Sequence, residues 1–143
     1  MGGLGTVEAR RYCMIEEDLL LRFPEGARIL VAEDEYLVAS DLSRALRKAG
    51  AEVIGPVPTL ERAREVMAQS GAMGAILDVD LRGNTVFPLA DALVEDGVPF
   101  IFMTGYASQA LPERFRDVPC CHKPHRTQVA VDLLIEHVRD RMG

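Results

Sequence analysis

Several polar side chains follow apolar runs of the sequence, each at the point where a run ends. They comprise three carboxylates, one hydroxyl and one ammonium: Glu33, Asp34, Asp78, Thr104 and Lys123. If the apolar runs are parallel strands, their carboxyl ends meet at one edge of a sheet. We therefore expect these five side chains to lie close together.

Such a set of groups favours phosphoryl-transfer chemistry. Clustered carboxylates repel one another unless a cation joins them, and Mg²⁺ prefers oxygen ligands of this kind. A carboxylate can be a nucleophile that forms an aspartyl phosphate, while a Lys and a hydroxyl stabilise the transferring charge. Two simpler interpretations stay open from the residues alone. Asp78 could be a polar residue that ends a strand, and Glu33 and Asp34 could cap the helix that follows them.

The elements that would position these groups alternate between strand and helix patterns. Continuous apolar runs predict strands buried on both faces, at 27–32, 51–55, 74–78, 98–104 and 118–122. A repeated strand–helix order predicts a parallel sheet covered by helices on both faces. Five strands in a chain of this length predict an α/β, flavodoxin-like doubly wound fold with strand order 2-1-3-4-5. Pro112 and the few apolar residues of 107–116 predict a fourth helix that is short or mobile.

Length, charge and cysteine content limit the classes of function. The 143 residues fit one domain, and the net charge of −6 argues against nucleic acid or an anionic membrane as a partner. No apolar run approaches the roughly 20 residues of a membrane span. An odd count of three cysteines indicates a reducing, cytoplasmic location rather than a disulfide framework.

The first 26 residues lie outside the strand–helix pattern. We predict an N-terminal extension over 1–26, with a helical pattern from Val7 to Phe23, and a single domain over 27–143. Three alternatives are open for the extension: it packs on the domain, it forms a homodimer contact, or it stays loose.

Four short pieces of the sequence carry a resemblance to a known family. In chain order they read ILVAEDE, AILDVDL, FIFMTG and CHKP, each at the end of a predicted strand. From about Ala27 to Arg141 the chain resembles the receiver domain of bacterial two-component response regulators. The stretch FMTGY further resembles a sub-branch marked by an F-x-T-G-Y motif, many members of which are stand-alone proteins.

The resemblance implies a phosphoacceptor and a magnesium site. Asp78 would accept the phosphoryl group, and Glu33, Asp34 and Asp78 would hold Mg²⁺ together with the backbone carbonyl of Asp80. The Asp80 carboxylate is open to two interpretations. It could be a solvated loop group, or a further negative charge that tunes the lifetime of the phosphorylated form.

The resemblance also implies a switch. Thr104 would donate a hydrogen bond to the phosphoryl group, Lys123 would form its ion pair, and the Lys123–Pro124 bond would be cis. Tyr106 could report on phosphorylation or could simply pack on the surface. We expect the loop 104–119 to be the element that reorders.

The function implied is that of a regulatory domain rather than an enzyme, with only slow, Mg²⁺-dependent self-phosphorylation and self-dephosphorylation. A sensor histidine kinase or a histidine phosphotransfer protein would donate the phosphoryl group to Asp78. The chain ends directly after its last predicted helix, so we expect a single-domain response regulator that acts on an unknown downstream protein by contact, as a relay or as a phosphate sink. The alternatives are a phosphorylation-independent interaction module and an aspartyl-phosphate hydrolase.

Overall fold

The computed structural model describes residues 21–105, 111–123 and 127–142. A five-stranded parallel sheet contains β1 (Arg28–Ala32), β2 (Glu52–Val57), β3 (Gly74–Asp78), β6 (Phe100–Thr104) and β7 (Cys120–His122). A short antiparallel pair, β4 (Asp80–Leu81) and β5 (Asn84–Thr85), lies outside it. The helices are α1 (Tyr36–Lys48), α2 (Leu60–Ser70), α3 (Phe87–Asp96) and α4 (Thr127–Met142).

The strand order of the main sheet is β2-β1-β3-β6-β7. Numbered along the five strands of this sheet, it is the order 2-1-3-4-5, so the predicted doubly wound α/β fold is confirmed. All neighbouring strands are parallel, and their registers pair Asp78 with Met103 and Thr104 with His122. The carboxyl ends of the three strands β3, β6 and β7 therefore lie side by side.

Alternate residues of each strand face opposite layers of the core, which explains why the strands are continuously apolar. On β1, Ile29 and Val31 pack with Leu46 of α1 and Leu134 of α4. Leu30, by contrast, belongs to a second core cluster on the side of α2 and α3. Helices thus cover both faces of the sheet. The central strands β1, β3 and β6 lack period-two alternation of polar residues because neither of their faces meets water, whereas the edge strand β2 is partly exposed.

The edge strand β2 extends to Val57, past the predicted end at Gly55. Its register with β1 shifts between Leu30 and Ala32. Gly55 lies at φ +98, and a Cβ there would lie 2.8 Å from the backbone nitrogen of Val57 and 2.9 Å from the carbonyl oxygen of Val31. This part of the strand therefore requires glycine.

The segment that precedes β7 contains only a short helix among its described residues. It is a 3₁₀ turn, Glu113–Phe115, and residues 106–110 lie outside the described chain. The buried Phe115 ring packs among three other aromatic rings, with ring centroids 5.4 to 6.4 Å away: Phe87, Phe100 and Phe102. Arg114 lies over the Phe115 ring and donates two hydrogen bonds to Asp91.

The end of the N-terminal segment packs against the domain. Phe23 is buried in the core beneath α1, and its N–H donates to the carbonyl oxygen of Ala49 at 2.9 Å. Residues 21–24 are not helical, and most of the helical pattern expected over 7–23 lies outside the described residues. The division between an extension over 1–26 and a domain over 27–143 stays a prediction. Across 21–105, 111–123 and 127–142, none of the helices combines the length and the apolar character that a bilayer span requires.

Candidate functional site

A polar pocket of about 250 Å³ lies at the carboxyl edge of the sheet. Its walls come from the ends of the central strands and from the loops that follow them. The lining residues are Asp34, Glu35, Asp78, Asp80, Thr104, Gly105 and Lys123. A larger cavity of about 460 Å³ lies on the outer side of α1, against Pro56 of β2, and contains none of these carboxylates.

Lys123 connects the pocket's strand ends through its ammonium group. Its Nζ lies 2.9 Å from Asp78 Oδ2, 2.9 Å from Glu33 Oε2 and 3.1 Å from Glu35 Oε1. The backbone N–H of Lys123 donates to the carbonyl oxygen of Thr104 at 2.7 Å. The Lys123 side chain is only 7% exposed, and its carboxylate partners raise the pKa of the ammonium well above its usual range against the opposing effect of burial.

Glu33 lies beneath the pocket and is almost fully buried. Its Oε2 accepts hydrogen bonds from the Glu35 N–H and from Lys123, whereas its Oε1 has no hydrogen-bond partner among the described residues. Burial raises the pKa of Glu33 to about 7, and the charge of Asp78 adds to the rise, although both hydrogen bonds oppose it. A buried carboxylate with one unpartnered oxygen is costly unless another group satisfies it.

Asp78 ends β3, with its carboxylate directed to Lys123 on one side and to the next loop on the other. Oδ2 accepts from Lys123 and Oδ1 accepts from the Asp80 N–H at 3.2 Å. Burial raises the pKa of Asp78, and the hydrogen bond and charge of Lys123 oppose that rise. The carboxylate is therefore poorly hydrated and held in a fixed orientation, as a positioned nucleophile must be.

Asp34 and Asp80 are both held by the loop that follows β3. Asp34 Oδ2 accepts a hydrogen bond from the Arg82 N–H at 3.0 Å, and Asp80 Oδ1 accepts from the Gly83 N–H at 2.9 Å. Asp34 is half-buried and Asp80 is exposed. Both carboxylates are thus more exposed than the buried Glu33.

The donor set fits Mg²⁺. Carboxylate oxygens of Glu33, Asp34 and Glu35 all lie within 4.8 Å of one another, and Glu33 Oε1 lacks a partner. With Asp78 and Asp80 included, the described residues at the site comprise five carboxylates and the ammonium of Lys123, which pairs with Glu33, Glu35 and Asp78. Oxygen ligands, excess negative charge and room for water are what Mg²⁺ requires.

The structure brings together most of the side chains predicted from the sequence. Glu33, Asp34, Asp78, Asp80, Thr104 and Lys123 share the same sheet edge, and Thr104 is buried at the end of β6. Tyr106 and Pro124 lie outside the described residues, so the reporting role and the cis Lys123–Pro124 bond stay predictions. The roles of the other residues in metal binding and phosphoryl transfer also stay predictions.

Glu35 and Gly105 also line the pocket, although neither is predicted from the sequence. Glu35 does carry a signal, since it extends an acidic run that begins at Glu33. Its side chain is long enough to reach Lys123 from the start of α1. Gly105 carries a weaker signal, because glycines are frequent wherever a strand passes into a loop.

Comparison with known proteins identifies the family to which the chain is similar. No protein-family model matches the chain. SdrG from Sphingomonas melonis Fr1, known from a solution structure, is 34% identical in sequence to this chain, with a TM-score of 0.70. The match covers 80% of this chain and 97% of SdrG. The response-regulator REC domain of PhyR from Erythrobacter litoralis has the same fold, with a TM-score of 0.69 at 24% identity over 81% of this chain and 92% of that domain.

A curated relative supports the same family assignment. The phyllosphere-induced regulator PhyR of Methylorubrum extorquens is 37% identical over 93 residues, which are 63% of this chain and 33% of that protein. The chain belongs to the response-regulator receiver domains. It spans less than half the length of the curated relatives it matches, at most 44%. The polar pocket of this receiver domain lies where doubly wound sheets bind ligands, at the carboxyl ends of their strands.

Proposed function

We propose that this receiver domain accepts a phosphoryl group on Asp78 and acts as a signalling switch. The observation that carries the proposal is the Asp78 carboxylate, buried at the pocket wall with its Oδ2 2.9 Å from the ammonium of Lys123. A neighbouring cation keeps a buried carboxylate ionised and later pairs with the transferred group. Asp80, two residues away, is exposed, and its carboxylate accepts a hydrogen bond from the Gly83 N–H rather than from an ammonium group. Asp78 is therefore the better phosphoryl acceptor.

The donor is a phosphohistidine of a sensor histidine kinase or of a histidine phosphotransfer protein. An oxygen of Asp78 attacks the phosphorus, the new O–P bond forms as the P–N bond breaks, and the released imidazole takes up a proton from solvent. Lys123 stabilises charge on the phosphoryl oxygens, and the hydroxyl of Thr104 donates a hydrogen bond to one of them. The product is an acyl phosphate, with Asp78 as its carboxyl component.

The residues that would hold Mg²⁺ are Glu33, Asp34 and Asp78, with the backbone carbonyl of Asp80. When bound, the ion neutralises charge on the carboxylates and on the incoming phosphoryl group. The unpartnered Oε1 of Glu33 supports this assignment, because it is buried without a donor. Glu35 adds a further carboxylate oxygen to the same cluster.

The output of the switch is a contact with an unknown downstream protein. Thr104 ends β6 and is the first residue of the loop 104–119, the segment expected to reorder, and its carbonyl oxygen accepts a hydrogen bond from the Lys123 N–H. A phosphoryl group that binds the Thr104 hydroxyl and the Lys123 ammonium therefore acts on the start of this segment.

Incubation with acetyl phosphate and Mg²⁺, followed by intact-protein mass spectrometry, tests the proposal. We expect a single phosphoryl group on the wild type and on the control Asp96→Asn, which alters an exposed carboxylate at the end of α3. Asp78→Asn should carry none. Phosphorylation of Asp78→Asn to the wild-type level would refute the proposal.

The same incubation separates the two alternatives. Many turnovers of acetyl phosphate with no accumulated phosphoprotein would indicate a hydrolase. Full signalling by Asp78→Asn in the pathway of the source cell would instead support a phosphorylation-independent interaction module.

A further inference from the structure

A β-hairpin closes one side of the pocket. It consists of β4 and β5, which pair Asp80 with Thr85 and Leu81 with Asn84 in antiparallel register. The two turn residues between them both have left-handed backbone conformations, with φ +51 at Arg82 and φ +86 at Gly83. This is the turn type whose twist matches a two-residue hairpin, and it is costly at Arg82 because that residue has a Cβ.

Both amides of the turn donate to carboxylates of the site. The Arg82 N–H donates to Asp34 at 3.0 Å, and the Gly83 N–H donates to Asp80 at 2.9 Å. The first bond joins positions 48 apart in the chain and connects the end of β1 to the hairpin. The second bond is local, and it holds the turn in the conformation that directs the Arg82 N–H at Asp34.

The base of the hairpin is fixed by packing. Leu81 is fully buried in the core cluster beneath α2 and α3. The buried residues Val79 and Val86 flank the hairpin and are joined by a hydrogen bond from the Val86 N–H to the Val79 carbonyl oxygen at 2.8 Å. The Asp80 N–H donates to Asp78. The turn is therefore a rigid extension of β3 rather than a free loop.

We propose that this hairpin turn positions the Asp34 carboxylate for a divalent cation through the backbone N–H of Arg82. The Asp80 carboxylate fixes the conformation of the turn. Outer hydrogen bonds of this kind orient a metal-binding carboxylate and leave its remaining lone pairs for the ion. Arg82 and Asp80 are thus positioning residues, and the guanidinium of Arg82 is not required. The inference rests on the proposed function, since it names how one ligand of the proposed magnesium site is held.

Two glycine variants test the turn by its backbone alone. Gly83→Ala and Gly26→Ala both place a Cβ at a positive φ, +86 and +80, and in both cases the Cβ meets no heavy atom of the described residues within 4 Å. Each variant therefore strains the backbone without a steric clash, but Gly26 precedes β1 at the opposite edge of the sheet. Mg²⁺ affinity is measured by isothermal titration calorimetry on the folded proteins. We expect about a tenfold loss in Gly83→Ala and a loss below about twofold in Gly26→Ala.

Side-chain variants of Asp80 separate hydrogen bonding from charge and also serve if Gly83→Ala does not fold. Asn retains an oxygen that accepts from the Gly83 N–H, whereas Ala does not. We expect Asp80→Asn to keep Mg²⁺ affinity within about threefold of wild type and Asp80→Ala to lose about tenfold. Equal losses in the two variants would show that Asp80 acts through its charge and would overturn the proposed positioning role.

A measurement without metal tests the contact itself. In EDTA, amide hydrogen exchange at Arg82 should accelerate at least about tenfold in Asp34→Ala, because the acceptor of its hydrogen bond is gone. Unchanged exchange at Arg82 would overturn the inference.

The failure of the inference and the failure of the proposed function give different results. A wild type that binds no Mg²⁺ and forms no phosphoprotein refutes the proposed function, and the inference with it. A wild type that does both, together with Gly83→Ala and Asp80→Ala variants of unchanged Mg²⁺ affinity, refutes the inference alone.

Discussion

Replacing Glu33 by Gln should make the metal-free protein more stable at neutral and mildly alkaline pH. Burial raises the pKa of Glu33 from an ordinary 4.5 to about 7. Between these two values the folded state binds a proton that the unfolded state does not. The stability that this proton supplies is fully present below pH 4.5 and is lost as the pH rises through 7.

The magnitude follows from the difference between the two pKa values. One pKa unit corresponds to about 1.4 kcal/mol, so ionisation of Glu33 lowers the free energy of unfolding by about 2–3 kcal/mol between pH 5 and pH 8. Gln is uncharged throughout, so Glu33→Gln lacks this loss. Burial lowers the pKa of His137 from its ordinary 6.5, so the contribution of His137 to stability changes with pH in the opposite direction. The quantity to compare is therefore the difference between wild type and variant at each pH.

Urea unfolding in EDTA at pH 5, 6, 7 and 8 measures that difference. The matched control is Glu52→Gln, because Glu52 is an exposed carboxylate that forms a surface ion pair with Arg28. Saturating Mg²⁺ at pH 8 should stabilise the wild type more than Glu33→Gln, since the variant lacks a ligand of the proposed metal site. A wild-type-to-variant difference that is the same at pH 5 and pH 8 would refute the reasoning.

Three further substitutions have expected outcomes. Lys123→Met leaves the buried carboxylates Glu33 and Asp78 without their cation, so metal-free stability at pH 8 should fall by about 3 kcal/mol in urea unfolding, and by less at pH 5. Thr104→Ala should slow phosphorylation by acetyl phosphate about tenfold, because the hydroxyl donates a hydrogen bond to a charged group, whereas Thr104→Ser should react at nearly the wild-type rate. Equal phosphorylation rates in the two variants would contradict that role. Phe115→Ala should cost about 3–5 kcal/mol in thermal unfolding through loss of the aromatic cluster, and a shift of under about 1 kcal/mol would contradict the packing.

The strand ends explain how much of the site could be predicted from the sequence. Strands buried on both faces are continuous apolar runs, so the first polar residue after each run marks the sheet edge. Asp78 and Thr104 are such residues, and the structure ends β3 and β6 at them. The repeated strand–helix pattern predicts a doubly wound sheet, and the order 2-1-3-4-5 is that of the flavodoxin-like fold which five strands indicate. The fold and the gathering of the site residues were therefore accessible without coordinates.

The parts that could not be predicted depend on contacts that carry no local pattern. The β4–β5 hairpin has only two residues in each strand, and its turn is Arg-Gly rather than the Asn-Gly or Asp-Gly that favours such a turn. Its stability comes from the buried Leu81 and from the hydrogen bond to Asp34. The burial of Phe23 is similar, because the residue lies before the first strand and is held by packing on α1 and α4 and by its N–H bond to the Ala49 carbonyl oxygen.

The charge balance of the site connects these features to function. Lys123 is shared by Glu33, Glu35 and Asp78, so no single carboxylate is neutralised by a full positive charge. Asp34 and Asp80 accept hydrogen bonds from the backbone amides of Arg82 and Gly83, which carry partial charges. The raised pKa values of Glu33 and Asp78 result from burial that this shared cation does not offset. A divalent cation would remove that excess charge and leave Lys123 able to pair with a phosphoryl group, which is why metal binding and phosphoryl acceptance should depend on each other at this site.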